Sequence, residues 1–134
     1  MITKQLSIFV ENKTGKLAQV TGMIADLGVN IHALSIADTT DFGILRVIVD
    51  NAEAVADELR QNRLTVSIGD VICIDLEDKP GGLTGALRVL YTCGIPVEYV
   101  YAFSSRSSSD LARVVLRVDD TKKADAMLKE NGFE

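Results

Sequence analysis

The segment Glu11-Asn12-Lys13-Thr14-Gly15-Lys16-Leu17 returns 66 residues later as Glu77-Asp78-Lys79-Pro80-Gly81-Gly82-Leu83. Glu, Lys, Gly and Leu keep their offsets, and Asn12 is answered by its acid, Asp78. Each copy follows an alternating apolar run and opens a helical pattern. A solenoid unit would need three or more copies, so two copies at this spacing mean a duplicated domain.

The first copy can be read element by element. Leu6, Ile8 and Val10 alternate with Gln5, Ser7 and Phe9, which predicts a strand with one strongly apolar face. After the turn, Leu17, Val20, Ile24 and Leu27 fall at helical spacing, with Met23 beside them. Gly28 suits the left-handed end of that helix. Ile31 to Ala37 predicts a second strand, Asp38-Thr39-Thr40-Asp41 a turn, and Ile44 to Val49 a β-branched third strand. Asp50 is placed to cap a second helix, with Glu53 three residues on as in a capping box. Ala52, Val55 and Leu59 form its buried stripe, and Leu64 to Ile68 alternates as a fourth strand. The order is β-α-β-β-α-β, the ferredoxin-like arrangement, with two helices on one face of an antiparallel sheet. The other face must be covered, usually by another copy.

The second copy follows suit. Ile72, Ile74 and Leu76 match the first strand, while Leu83, Ala86 and Leu90 match the helix. Gly94 matches Gly28, and Ile95-Pro96-Val97 matches Val29-Asn30-Ile31. Beyond the Ser104 to Ser109 hairpin the offset becomes 69, so that Leu59 pairs with Leu128. The fold class expected is therefore α+β, two ferredoxin-like domains in tandem at residues 1–69 and 70–134. Strand Leu64 to Ile68 is able to run through Gly69-Asp70 into the next one. The second copy lacks most of its last strand, which would leave the edge of Val71 to Leu76 bare. Either the chain is cut short or another chain supplies the pairing; the expectation is the latter, a homodimer through that edge.

Composition narrows the function. A content of 47% hydrophobic residues supports a real core, and a net charge of -5 argues against a nucleic-acid backbone or an anionic membrane as partner. No apolar run approaches the ~18 residues of a spanning helix, and the start turns polar too early for a signal peptide. The expected location is the cytoplasm. Cys73 and Cys93 read as small buried hydrophobes. His32, the one histidine, has no nucleophile or metal-ligand set around it. Asp75, Glu77 and Asp78 read as a solvated strand end. Pro80 to Gly85 resembles a phosphate loop without the Gly-Lys-Ser/Thr that would complete one. Arg106 is a weak anion candidate, and Tyr91, Tyr99 and Tyr101 are able to line a ligand cavity but are expected to pack across the open sheet face. No catalytic residue, cofactor or metal is expected.

With these residues in view the chain resembles the ACT domain, a small regulatory module that typically senses amino acids. Asn12, Gly15, Leu17, Gly28, Asn30 and Ile31 match its pattern in the first copy. Asp78, Gly81, Leu83, Gly94 and Val97 match in the second, where Pro96 replaces the usual Asn. The resemblance implies a non-catalytic regulatory, allosteric protein that binds a free amino acid and modulates an enzyme of amino-acid metabolism. It places ligands where two domains meet, near the turn and the start of the second strand. The implied ligand residues are Asn12, Thr14, Gly15, Lys16, Leu17, Asn30 and Ile31, with Asp78, Pro80, Gly81, Gly82, Leu83, Pro96 and Val97. The alternatives are an interaction or dimerisation module without a ligand, and a small enzyme on the same fold.

The turn itself admits two readings. Free amides and a partial positive charge at a helix N-terminus suit a carboxylate, and Asn12 or Asp78 can accept from an ammonium group. Alternatively Asn12, Thr14 and Asp78 simply cap helices, with Pro80 in a first-turn position.

Overall fold

The computed structural model describes residues 1–38, 41–104 and 110–134. Its elements are β1 (Ile2–Glu11), α1 (Lys16–Asp26), β2 (Ile31–Asp38), β3 (Phe42–Val49), α2 (Ala52–Gln61), β4 (Val66–Glu77), α3 (Gly82–Thr92), β5 (Val97–Ser104), β6 (Leu111–Val118) and α4 (Thr121–Glu130). They form two compact units, Lys4–Gly69 and Asp70–Glu134, the latter including Met1–Thr3.

In the unit Lys4–Gly69 the strands are hydrogen-bonded in the order β2-β3-β1-β4. β1 pairs antiparallel with β3, Leu6 opposite Val47 and Ile8 opposite Leu45. Those side chains are fully buried, as are Ile24 and Leu59 on the helices laid over them. Removing each from water contributes about 2 kcal/mol. The unit Asp70–Glu134 repeats the plan with β4-β6-β5 and a core of its own around Ile72, Leu90, Leu116 and Leu128.

β4 is one strand of 12 residues, so the fourth strand does run through Gly69-Asp70. The edge expected to be bare is not. Cys73 donates its N–H to the Met1 carbonyl at 2.8 Å, the Met1 amino group donates to the Cys73 carbonyl at 3.0 Å, and Asp75 N–H reaches the Glu134 carbonyl at 3.0 Å. The chain's own two ends occupy the place of the missing strand, which removes the reason for a homodimer through that edge.

The capping box at Asp50 is also corrected. The N-cap of α2 is Asn51 in the left-handed region, with no side-chain cap bond, and Asp50 Oδ1 lies 3.0 Å from His32 Nε2 instead. The second copy does use an aspartate cap, Asp120 Oδ1 accepting from Lys123 N–H at 3.1 Å. The turn at Thr39-Thr40 and the hairpin of Ser105 to Ser109, including Arg106, lie outside the described residues.

On the sheet face away from α3 and α4, Tyr99 and Tyr101 stack with ring centroids 6.5 Å apart, and Arg113 makes a two-point pair with Asp75 at 2.8 and 3.0 Å. Tyr101 is opposite Val115 and Cys73 is opposite Val115 on its other side, so these long side chains flank a buried apolar row. Arg117 adds to them by donating to the Asp70 carbonyl. Asp75 is thus half of an ion pair rather than part of a solvated acidic group. Tyr91 stands out on α3, 85% exposed.

Asp125, a buried carboxylate on α4, lies 3.0 Å from Lys129 Nζ and 3.2 Å from the Met1 amino group. Burial alone would raise its pKa, but the bonds from Lys129 and the Met1 amine outweigh that and hold it below the ordinary aspartate value. A carboxyl with a lowered folded-state pKa stabilises the fold above its unfolded pKa. That contribution is lost as the pH falls through the lowered one. Urea unfolding from about pH 5 downward is expected to show the parent protein losing stability more steeply than Asp125→Asn.

Candidate functional site

The duplicated turn is built the same way twice. In the first, Asn12 N–H bonds the Asp41 carbonyl, Lys13 N–H the Glu11 carbonyl, Lys16 N–H the Lys13 carbonyl and Gln19 N–H the Gly15 carbonyl. The second repeats all four bonds with Asp78 to Asp110, Lys79 to Glu77, Gly82 to Lys79 and Gly85 to Gly81. Gly15 and Gly81 are the helix N-caps, at φ 86 and 83, a left-handed conformation that an L side chain strains. The capping reading is therefore set aside: the cap residues have no side chain, and no side-chain cap bond is formed at either helix.

What remains at each turn is a set of polar groups facing solvent. The exposed side chains of Asn12, Thr14 and Asp78 make no hydrogen bond among the described residues. After Lys16 and Gly82 turn their N–H groups inward, the first-turn donors without a partner among the described residues are those of Leu17 and Ala18, and of Leu83 and Thr84. Leu17 and Leu83 are each 39% exposed, so both flank the turn rather than enter the core. Beside each turn a lysine is tied to the strand end, Lys13 to Glu11 at 3.0 Å and Lys79 to Glu77. The Lys13 bond, then the charges of Lys13 and Lys16, hold the Glu11 carboxyl below its usual pKa. The copies differ at one place: Lys16 carries a cation where the second copy has Gly82.

The other expected ligand residues lie elsewhere in the unit. Ile31, next to Asn30, is opposite Val49, whereas Glu11 is opposite Phe42, and seven residues of strand separate those rows by about 23 Å. β1 and β2 are both antiparallel to β3, so β2 begins at the end where β1 begins and the turn sits at the other. Val97, after Pro96, holds the corresponding place opposite Val118, and β2 and β5 each carry a register shift just inside this start. One unit thus brings together Asn12 to Leu17, or Asp78 to Leu83, but not the second-strand residues.

Beside the first turn is a cavity of about 340 Å³ within the unit Lys4–Gly69. Of the expected residues it touches only Lys16. Three further observations bear on chemistry. Burial raises the Cys73 thiol pKa and so disfavours the thiolate. No group of three or more His, Cys, Asp or Glu among the described residues could hold a metal ion. No helix among them is long and apolar enough to cross a membrane.

Two ferredoxin-like units, each opening its first helix on a left-handed glycine, define a duplicated α+β module. The chain belongs to the family described as the ACT domain pair, whose model matches residues 1–134. Among solved structures it is similar to protein BT0572 of Bacteroides thetaiotaomicron, with 40% identity over 100% of this chain and 91% of that one and a TM-score of 0.92. It also shares its fold with the regulatory subunit of aspartate kinase from Thermus thermophilus in a ligand-free form (12% identity, 96% and 93% covered, TM-score 0.71). The same holds for the regulatory subunit of aspartate kinase from Thermus flavus (13% identity, 96% and 92% covered, TM-score 0.69). No curated protein matches the chain.

Proposed function

We propose that this protein is a non-catalytic regulator that binds a free amino acid at its two glycine-bearing turns and modulates an enzyme of amino-acid metabolism. The observation that carries the reading is the turn built twice with the same backbone bonds, each presenting an Asn12 or Asp78 side chain that has no partner among the described residues, beside first-turn amides that have none there either. A zwitterion answers both: the amides suit its carboxylate, and the Asx oxygen suits its ammonium group. The kinase regulatory subunits that share the fold support a regulatory role, and a cytoplasmic site of action accords with a partner enzyme of that kind.

A ligand touching both Asn12 and Asn30 cannot do so within one unit, so we assign the completed site to a homodimer. The outer strands β2 and β5 offer the open edges for it. Leu34 and Ile36 on β2 are 51% and 47% exposed, and Val100 on β5 is 40% exposed. The ligand then favours the assembly in which two copies meet around it, by no more than its differential affinity for that state.

Thermal unfolding against each of the twenty amino acids tests this. One amino acid at about 100 times its dissociation constant should add about 2.7 kcal/mol. The gain should shrink in Asn12→Ala and Asp78→Ala and vanish in the double variant. Silence across the panel would leave the interaction module without a ligand as the better description.

A further inference from the structure

The duplication supplies its own control for the cavity in the first unit. Arg63 follows α2 at φ 67, and its N–H and that of Leu64 return to the carbonyls of Arg60 and Leu59. The second copy closes α4 with the same two bonds, Gly132 to Lys129 and Phe133 to Leu128, and there the left-handed residue is glycine at φ 84. The chain therefore holds an arginine in a conformation that its own duplicate assigns to glycine. A strained non-glycine residue points to a use for its side chain. The neighbouring position differs as well. Phe133 lays its ring over Gly85, 3.3 Å from where a β-carbon would stand, and so fills that corner of the second unit. In the first unit the corresponding residues are Leu64 and Gln19, and the corner is the cavity of about 340 Å³.

Its lining combines two chemistries. Val20, Met23 and Leu64 supply apolar surface on the helix-covered side of the sheet. Lys16 and Arg63 supply two cations that make no ion pair among the described residues, in a protein whose net charge is -5. The one carboxylate in the lining, Glu11, is already held by Lys13 at 3.0 Å. Lys16 lies within the field of Glu11, while Arg63 has no carboxylate in contact among the described residues. Two such cations outside any ion pair, beside an apolar hollow of this size, suit an anion with an apolar body of roughly ten non-hydrogen atoms.

We propose that this cavity is a second, intra-unit binding site for a small apolar carboxylic acid. Arg63 and Lys16 hold the carboxylate, and Val20, Met23 and Leu64 enclose the body. It does not depend on the turn reading, from which it shares only Lys16.

The test is an amide NMR titration of the whole protein with leucine, 4-methyl-2-oxopentanoate and the uncharged 4-methylpentan-1-ol. Saturable shifts at Asn62 to Thr65 and Met23 with either acid, but not with the alcohol, are expected, and which acid binds identifies the source. Arg63→Gly keeps the left-handed turn while removing the guanidinium, and should weaken binding by about tenfold or more. Leu64→Phe, which imitates the second copy, should abolish it. The proposal is overturned if neither acid shifts these amides at about 10 mM, if the alcohol binds as well as the acids, if Arg63→Gly binds unchanged, or if the shifts fall only at Asn12 to Gly15.

Discussion

Gly82→Ala is expected to destabilise the protein by about 3 kcal/mol and to lower its melting temperature by about 10 °C. A β-carbon at this position would stand 2.2 Å from the Glu77 carbonyl oxygen and 3.4 Å from its carbon. Both are backbone atoms at the end of β4, so no side-chain rotation relieves the contact. Either the strand end or the first turn of α3 must move, and the Gly82 N–H bond to the Lys79 carbonyl goes with it. The constraint is one of space, since Gly82 is not left-handed; its neighbour Gly81, at φ 83, meets nothing within 4 Å. Gly81→Ala should therefore cost only the strain of a left-handed alanine, about 1–2 kcal/mol. Lys16, which occupies the place of Gly82 in the first copy, tolerates a side chain already, and Lys16→Ala should stay within about 0.5 kcal/mol. Urea titrations of the three variants would show this ranking. Equal effects at Gly81 and Gly82 would mean that the second turn is free to open, and a ligand site built on its amides would lose its preorganisation.

The repeat made most of this architecture legible before any coordinates. A period of 66 residues fixed the two-unit plan, and the stripes Val20-Ile24 and Ala86-Leu90 placed the helices, because burial follows periodicity directly. The failures were of two physical kinds. Pairing of Cys73 with Met1 and of Asp75 with Glu134 joins residues dozens of positions apart, and nothing local marks it. The cap at α2 was misplaced because Asp50 and Asn51 are both plausible N-caps, and only tertiary context gives Asp50 to His32. At the candidate site, the turns were legible from glycine and Asx chemistry. That Asn30 and Ile31 lie about 23 Å from the first turn follows from strand direction, which the element order already contained. The cavity had a faint signal too: Arg63-Leu64 stands where the second copy has Gly132-Phe133, and a glycine answered by arginine at a helix end invites the question.

Leu59→Ala and Leu128→Ala are expected to cost about 3 kcal/mol each, but in different places. Both leucines are fully buried and hold matching positions on α2 and α4, and their carbonyls accept the same helix-ending bond, so truncation leaves the backbone alone. The hydrophobic clusters they belong to have no residue in common. Leu59→Ala should therefore speed hydrogen exchange at Leu45 and Val47, and Leu128→Ala at Val114 and Leu116, each measured under native conditions. Exchange that rose equally in both groups would show one cooperative core behind two clusters. If the groups separate, the same pair of variants apportions ligand binding, because an amino acid held at the first turn protects only the unit whose strand and helix that turn joins. Stabilisation of Leu59→Ala by a ligand that leaves Leu128→Ala unimproved would place occupancy at Asn12 rather than Asp78.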